Sequence, residues 1–155
     1  MDDPFIARNL TYGVQDSLIS TTGVVAGMSL AGLKRREILV TGLILVIVEA
    51  MSMSFGSFIS EESFVLAAGM QHTVWDIVKY ATVMLVSYVL AGGIPLLPFL
   101  LDIDDAWQWS VALALATLFV LIMYVQGDPN KAGTLTSVGG SILAVSILSG
   151  RALKV

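Results

Sequence analysis

The chain has 155 residues, of which 56% are hydrophobic and only 13% charged, with a net charge of −4 at pH 7 and a mean hydropathy of +0.86. A soluble domain of this length needs more charge than that to cover its surface, and the apolar residues fall in long runs, the pattern of membrane-spanning helices. There is no cysteine, which excludes disulfides and thiolate metal sites, and no basic patch points to nucleic acid. The length allows one domain and no separate soluble module. Met1-Asp2-Asp3 carries no positive charge ahead of the first apolar run, so the first span is expected to be retained rather than cleaved.

In chain order, Asp3 followed by Pro4 reads as a helix N-cap with proline at the first helical position, opening a helix over 4–33. Its first residues, Pro4 to Asn9, read as interfacial, and Lys34-Arg35-Arg36 ends it. A second helix is expected over 37–59, followed by the polar stretch Ser60-Glu61-Glu62-Ser63 and a link through His72. A third is expected over 75–100, broken or kinked by Gly92, Gly93, Pro95 and Pro98. The acidic turn Asp102 to Asp105 leads into a fourth over 106–126. Asp128-Pro129-Asn130 reads as a turn before a fifth over 131–150, which Gly150 ends, with Arg151 and Lys154 beyond. Spans of about 20 residues cross roughly 30 Å of hydrocarbon. Trp75, Trp107 and Trp109 lie near span ends, where interfacial tryptophans belong. The expected fold is an all-α integral membrane protein, a five-transmembrane-helix bundle forming one domain over 1–155.

Two carboxylates lie inside apolar runs, Asp16 in the first helix and Glu49 in the second. A charge at that depth costs about 2.5–3.5 kcal/mol on insertion scales, so such groups face a bundle interior or a wet cavity. The bland alternative is a protonated carboxyl bonded to a neighbouring helix. On the first helix Tyr12, Asp16, Ser20, Gly23, Gly27 and Ala31 recur at helical spacing, and Gly23 to Gly27 is a G-x-x-x-G that lets two helices approach, within a protomer or between copies. On the second, Glu49, Ser52, Met53, Gly56, Ser57 and Ser60 share a face. A thioether one turn from a carboxylate suits later first-row metals better than magnesium or calcium, although a methionine also simply packs. His72, the only histidine, and Glu61 and Glu62 are candidates for the mouth of a path or for a solvated loop. Asp102, Asp104 and Asp105 could draw cations to a pathway mouth, but are read first as a solvated turn.

These residues resemble the vacuolar iron transporter family. Gly13 to Thr21 is similar to its Asp-containing first-helix motif, with Ser17 where glycine is usual. Ala50 to Ser60 resembles its Ser-Met-Ala-x-Gly-Glu-Tyr-x-Ser signature, and Gly92 to Phe99 its Pro-Leu-Leu-Pro-Phe ending. Lys131-Ala132-Gly133 with Gly139-Gly140 is a less specific match. The resemblance implies a five-helix protomer, a homodimer with its path at the two-fold interface, and export of ferrous iron or manganese from the cytosol in exchange for protons. By motif, Asp16 and Met53 carry over as pathway residues. Three departures stand out. Ser57 replaces the signature glutamate, Glu49 stands two turns earlier where a small residue is common, and the connection after the second helix is too short for the Glu- and Met-rich cytosolic insertion of plant and fungal-type members.

The expected function is therefore metal/proton antiport of ferrous iron or manganese, with Asp16, Glu49 and Met53 as ligands, Ser57, Glu61, Glu62 and His72 as secondary candidates, and Gly23 and Gly27 as the packing or dimer face. The chain reads as a transporter and not an enzyme, with no permanently bound cofactor, Fe2+ or Mn2+ as cargo, and a second copy, lipid, metal ions and protons as partners. Two other readings stay open: a structural or chaperone-like subunit that carries no ion, and a passive cation channel. The resemblance puts the N-terminus in the cytosol; Lys34, Arg35, Arg36, Arg151 and Lys154 against Arg8, Lys79 and Lys131 favour the opposite orientation. The lack of a targeting segment suits a prokaryotic inner membrane.

Overall fold

The computed structural model describes residues 3–153; Lys154 of the basic count lies outside them. It consists of α1 (Pro4–Leu30), α2 (Arg35–Ala67), α3 (Val74–Gly93), a 3-10 turn (Ile94–Leu96), the short α4 (Leu97–Leu100), α5 (Ala106–Gln126) and α6 (Pro129–Ala152). There is no strand among the described residues. Four helical stretches have the length and apolar composition to cross a membrane: Arg35–Ala67, Val74–Leu100, Ala106–Gln126 and Pro129–Ala152. The fifth long helix, α1, has the length without the composition, because Gln15, Asp16, Ser17, Ser20, Thr21 and Thr22 interrupt it. It lies at the centre and packs on α2, α3, α5 and α6. The apolar helices wrap much of the polar one and bury its Asn9, Ser17, Thr21 and Thr22, while Tyr12 and Gln15 stay exposed.

Helix ends follow local chemistry. Asp3 caps α1 as expected, accepting from the Phe5 and Ile6 amides ahead of Pro4. Asp128 and Pro129 repeat that arrangement: Asp128 accepts from Asn130 and Lys131, so α6 begins at Pro129 and the expected turn is a cap. At its other end α6 runs past Gly150 to Ala152, so Gly150 is not the stop. Two glycines end α1 and α2 instead. Gly32 (φ +91°) closes α1 with Leu33 N–H on the Met28 carbonyl, and Gly69 (φ +64°) closes α2 with Met70 N–H on the Val65 carbonyl. The first helix therefore stops three residues short of the expected end. The second continues eight residues past it, because Ser60 to Ser63 are polar but hold no glycine or proline. At roughly 1.5 Å per residue α2 is about 50 Å long, so its far end stands clear of a 30 Å hydrocarbon layer.

Two apolar clusters fix the bundle. Val25, Ile38, Val46, Ala50, Tyr88, Leu96 and Phe99 join α1, α2 and the α3–α4 segment. Leu18, Ala91, Ala114, Leu118, Ile122 and Ala132 join α1, α3, α5 and α6. The kink expected at Pro95 and Pro98 is the 3-10 turn, where the Ser110 hydroxyl donates to the Pro95 carbonyl at 2.6 Å. The acidic turn is exposed; Asp102 pairs with Arg35, which also donates to the carbonyls of Phe99 and Leu100 and ties the start of α2 to the end of α4.

The face with Gly23 and Gly27 is used inside the protomer, against α6. A Cβ on Gly23 would stand 2.8 Å from the Ser146 hydroxyl, and one on Gly150 would stand 2.7 Å from the Cα of Gly27. Glycine at 27 and 150 lets the two backbones touch.

Candidate functional site

The polar side chains of α1 and α2 meet along one seam. The helices are antiparallel, since Ser20 pairs with Glu49 while Asn9 pairs with Ser57 and Glu61. On α2 the seam is the ridge Glu49, Met53, Ser57, Glu61, each one turn beyond the last. Ser52, Gly56 and Ser60, expected on the same face, are exposed instead. The ridge of i+4 steps turns slowly around the helix, and the i+3 positions fall outside the contact.

At mid-seam the Glu49 carboxylate accepts from the Ser20 hydroxyl at 2.9 Å and from the Tyr88 hydroxyl. Tyr88 is fully buried, and its own carbonyl accepts from Ser17 at 2.6 Å. Asp16, half-buried, lies one turn before Ser20 on the same face of α1. Met53 packs on the cluster holding Ala50 and Tyr88. Asp16 and Ser20 also line an open groove of about 770 Å³ between α1 and α6, together with Tyr12, Gln15 and Ser146. The structure thus brings Asp16 and Glu49 together, with Met53 one turn beyond Glu49 on the seam.

At the far end, Glu61 is on the helix and not in a loop, and is only 1% exposed. It pairs with Arg8 and accepts from the Asn9 amide at 2.8 Å, while Ser57 donates to the Asn9 carbonyl oxygen. Glu62 is exposed and takes no part. His72 sits beside this end, its ring 5.0 Å from Phe5 and its Nδ1 3.4 Å from the Tyr80 hydroxyl. Among the described residues, no three His, Cys, Asp or Glu side chains gather into a group able to hold a metal ion. One protomer therefore supplies two interacting carboxylates at mid-seam and not a closed carboxylate or histidine cage.

Residues 7–77 match the model of the VIT family. The match supports membership of the VIT family. No curated protein matches the chain. The matched residues take in α1, α2 and the start of α3, and hence Asp16, Glu49, Met53, Ser57 and Glu61. VIT family proteins are transporters and not enzymes, so the family and the apolar helices together point to a multi-pass membrane metal ion transporter. The Gly92–Phe99 motif, α5 and α6 lie beyond the matched residues.

Sequence reading missed three members of the seam. Tyr88 sits in an apolar run that hides it, although a phenol at membrane depth needs a hydrogen-bond partner. Arg8 and Asn9 read as interfacial from their neighbours, although an asparagine one and two turns before Gly13 and Ser17 continues the small, polar face of α1.

Proposed function

We propose that two copies of this chain form a divalent transition-metal/proton antiporter, with ferrous iron or manganese as cargo moving out of the cytosol of a prokaryotic cell. The observation that carries this reading is the Glu49 carboxylate held between Tyr88 and Ser20, the latter one turn from Asp16 on α1, in the middle of otherwise apolar helices. A divalent cation binds carboxylates in their deprotonated form, so metal taken up at Asp16 and Glu49 competes with protons, which couples metal to pH. Met53 adds a soft donor one turn along the seam, favouring iron or manganese over magnesium.

In this reading α1 is a fifth crossing, shielded by its neighbours. The open groove supports a second copy: it exposes Gln15 and Tyr12, the latter 58% exposed, where lipid offers no hydrogen bonds. A two-fold interface over that groove brings the same carboxylates in twice and completes a donor set that one protomer lacks.

The test is purified protein in liposomes loaded with a pH-sensitive dye. Added Fe2+ is expected to drive protons in the direction opposite to the metal, and Asp16→Ala is expected to abolish that movement. Metal flux indifferent to a pH gradient would mean a channel. No flux at all would leave the non-transporting subunit.

A further inference from the structure

The cluster at the far end of the seam lies 12 residues, about 18 Å, along α2 from Glu49 and plays no part in the proposed exchange. Its geometry is unusual. Arg8 and Asn9 both donate to the same Glu61 oxygen, Oε1. The other, Oε2, is buried without a partner among the described residues. A buried carboxylate oxygen with no donor is costly, and a ligand that engages it removes that cost. Asn9, which donates to Oε1, also carries a side-chain carbonyl oxygen, and that oxygen accepts from the Ser57 hydroxyl. All are hard oxygen donors, the set that hard divalent cations take.

We propose that Glu61, Asn9 and Ser57 form a second cation site at the mouth of the seam, which the Arg8 guanidinium fills as a tethered substitute for the ion. Arg8 enters from the open side, its side chain 43% exposed against 1% for Glu61. Its guanidinium already lies over the rings of Phe5 and Phe64, at 5.7 and 6.0 Å. Rotation of one side chain, with no helix displaced, takes it off the carboxylate while it keeps an aromatic contact. Arg8 and a divalent ion then exclude each other, since one carboxylate does not neutralise both. The site is independent of the transport reading.

The experiment counts bound Mn2+ by electron paramagnetic resonance on the full chain in detergent at pH 8. Arg8→Gln is expected to bind one more ion per chain than the wild type at the same Mn2+ concentration, and Arg8→Gln with Glu61→Gln to lose it. Equal counts in wild type and Arg8→Gln overturn the proposal, as does a gain that survives Glu61→Gln. Should Arg8→Gln fail to fold, the wild type still decides. Mn2+ is expected to raise labelling of Arg8 by phenylglyoxal several-fold, read by peptide mass spectrometry, and to have no such effect in Glu61→Gln. Unchanged Arg8 labelling overturns it. Repeating the counts in Glu49→Gln separates the two sites: the extra ion persists there whatever becomes of transport.

Discussion

Glu49→Gln is expected to remove most of the stabilisation of the protein by its metal while leaving the fold intact. Glutamine has nearly the shape of glutamate, and its amide oxygen still accepts from Ser20 and Tyr88, the two donors that hold Glu49 in place. What is lost is the negative charge. A ligand at a hundred times its Kd stabilises the native state by about 2.7 kcal/mol, so the wild type should show a clear rise in unfolding temperature with Mn2+ in detergent. The Gln variant should lose most of that rise, keeping only what binding at the Glu61 site adds. Tyr88→Phe removes a donor and keeps the charge, and should retain most of the shift. If Glu49→Gln responds to metal as the wild type does, the carboxylate is a packing group and the non-transporting reading gains.

Gly150→Ala is expected to be the most damaging single methyl in the chain. Its Cβ would stand 2.7 Å from the Cα and 2.9 Å from the carbonyl carbon of Gly27. Both are backbone, so no side chain can rotate away and α1 and α6 must separate. Overpacking of this kind costs roughly 3 kcal/mol, the upper part of its usual range. Gly133→Ala is the matched control, in the same helix with nothing within 4 Å of the added carbon. It should be neutral or stabilise by about 0.5–1 kcal/mol through helix propensity. Thermal unfolding of the two variants side by side checks the pair, and equal behaviour would mean that α1 and α6 do not meet at these glycines.

Much of this architecture is legible in the residues, and the failures have physical causes. Apolar runs locate the helices because the hydrophobic requirement acts over some 20 residues at once. Helix ends depend on one or two residues. The Asp-Pro cap is plain at Asp3, whereas Asp128-Pro129-Asn130 reads equally as a turn. The polar stretch after Ile59 suggests the end of α2, yet polarity does not terminate a helix that has already left the membrane; Gly69, in the left-handed region, does. The carboxylates are legible because charge in an apolar run is conspicuous. Tyr88 is not, since a tyrosine serves equally as core, belt or hydrogen-bond donor, and only its contact with Glu49 distinguishes these. Glu61 shows the same limit. In sequence it is one of two adjacent acids; in the fold one is buried and paired and its neighbour is exposed. The G-x-x-x-G marks a close-approach face, but sequence does not name its partner; within the protomer Gly23 and Gly27 face α6.

The central claim, that Asp16 and Glu49 are the carboxylates of a metal path, is tested most directly by anomalous X-ray scattering from crystals of the protein soaked in Mn2+, Fe2+ or Co2+. The expected result is a peak beside Asp16 and Glu49 within reach of Met53, shared between two copies across a two-fold axis. Crystals that take up the metal and show no peak at these residues in any of the three soaks would contradict it.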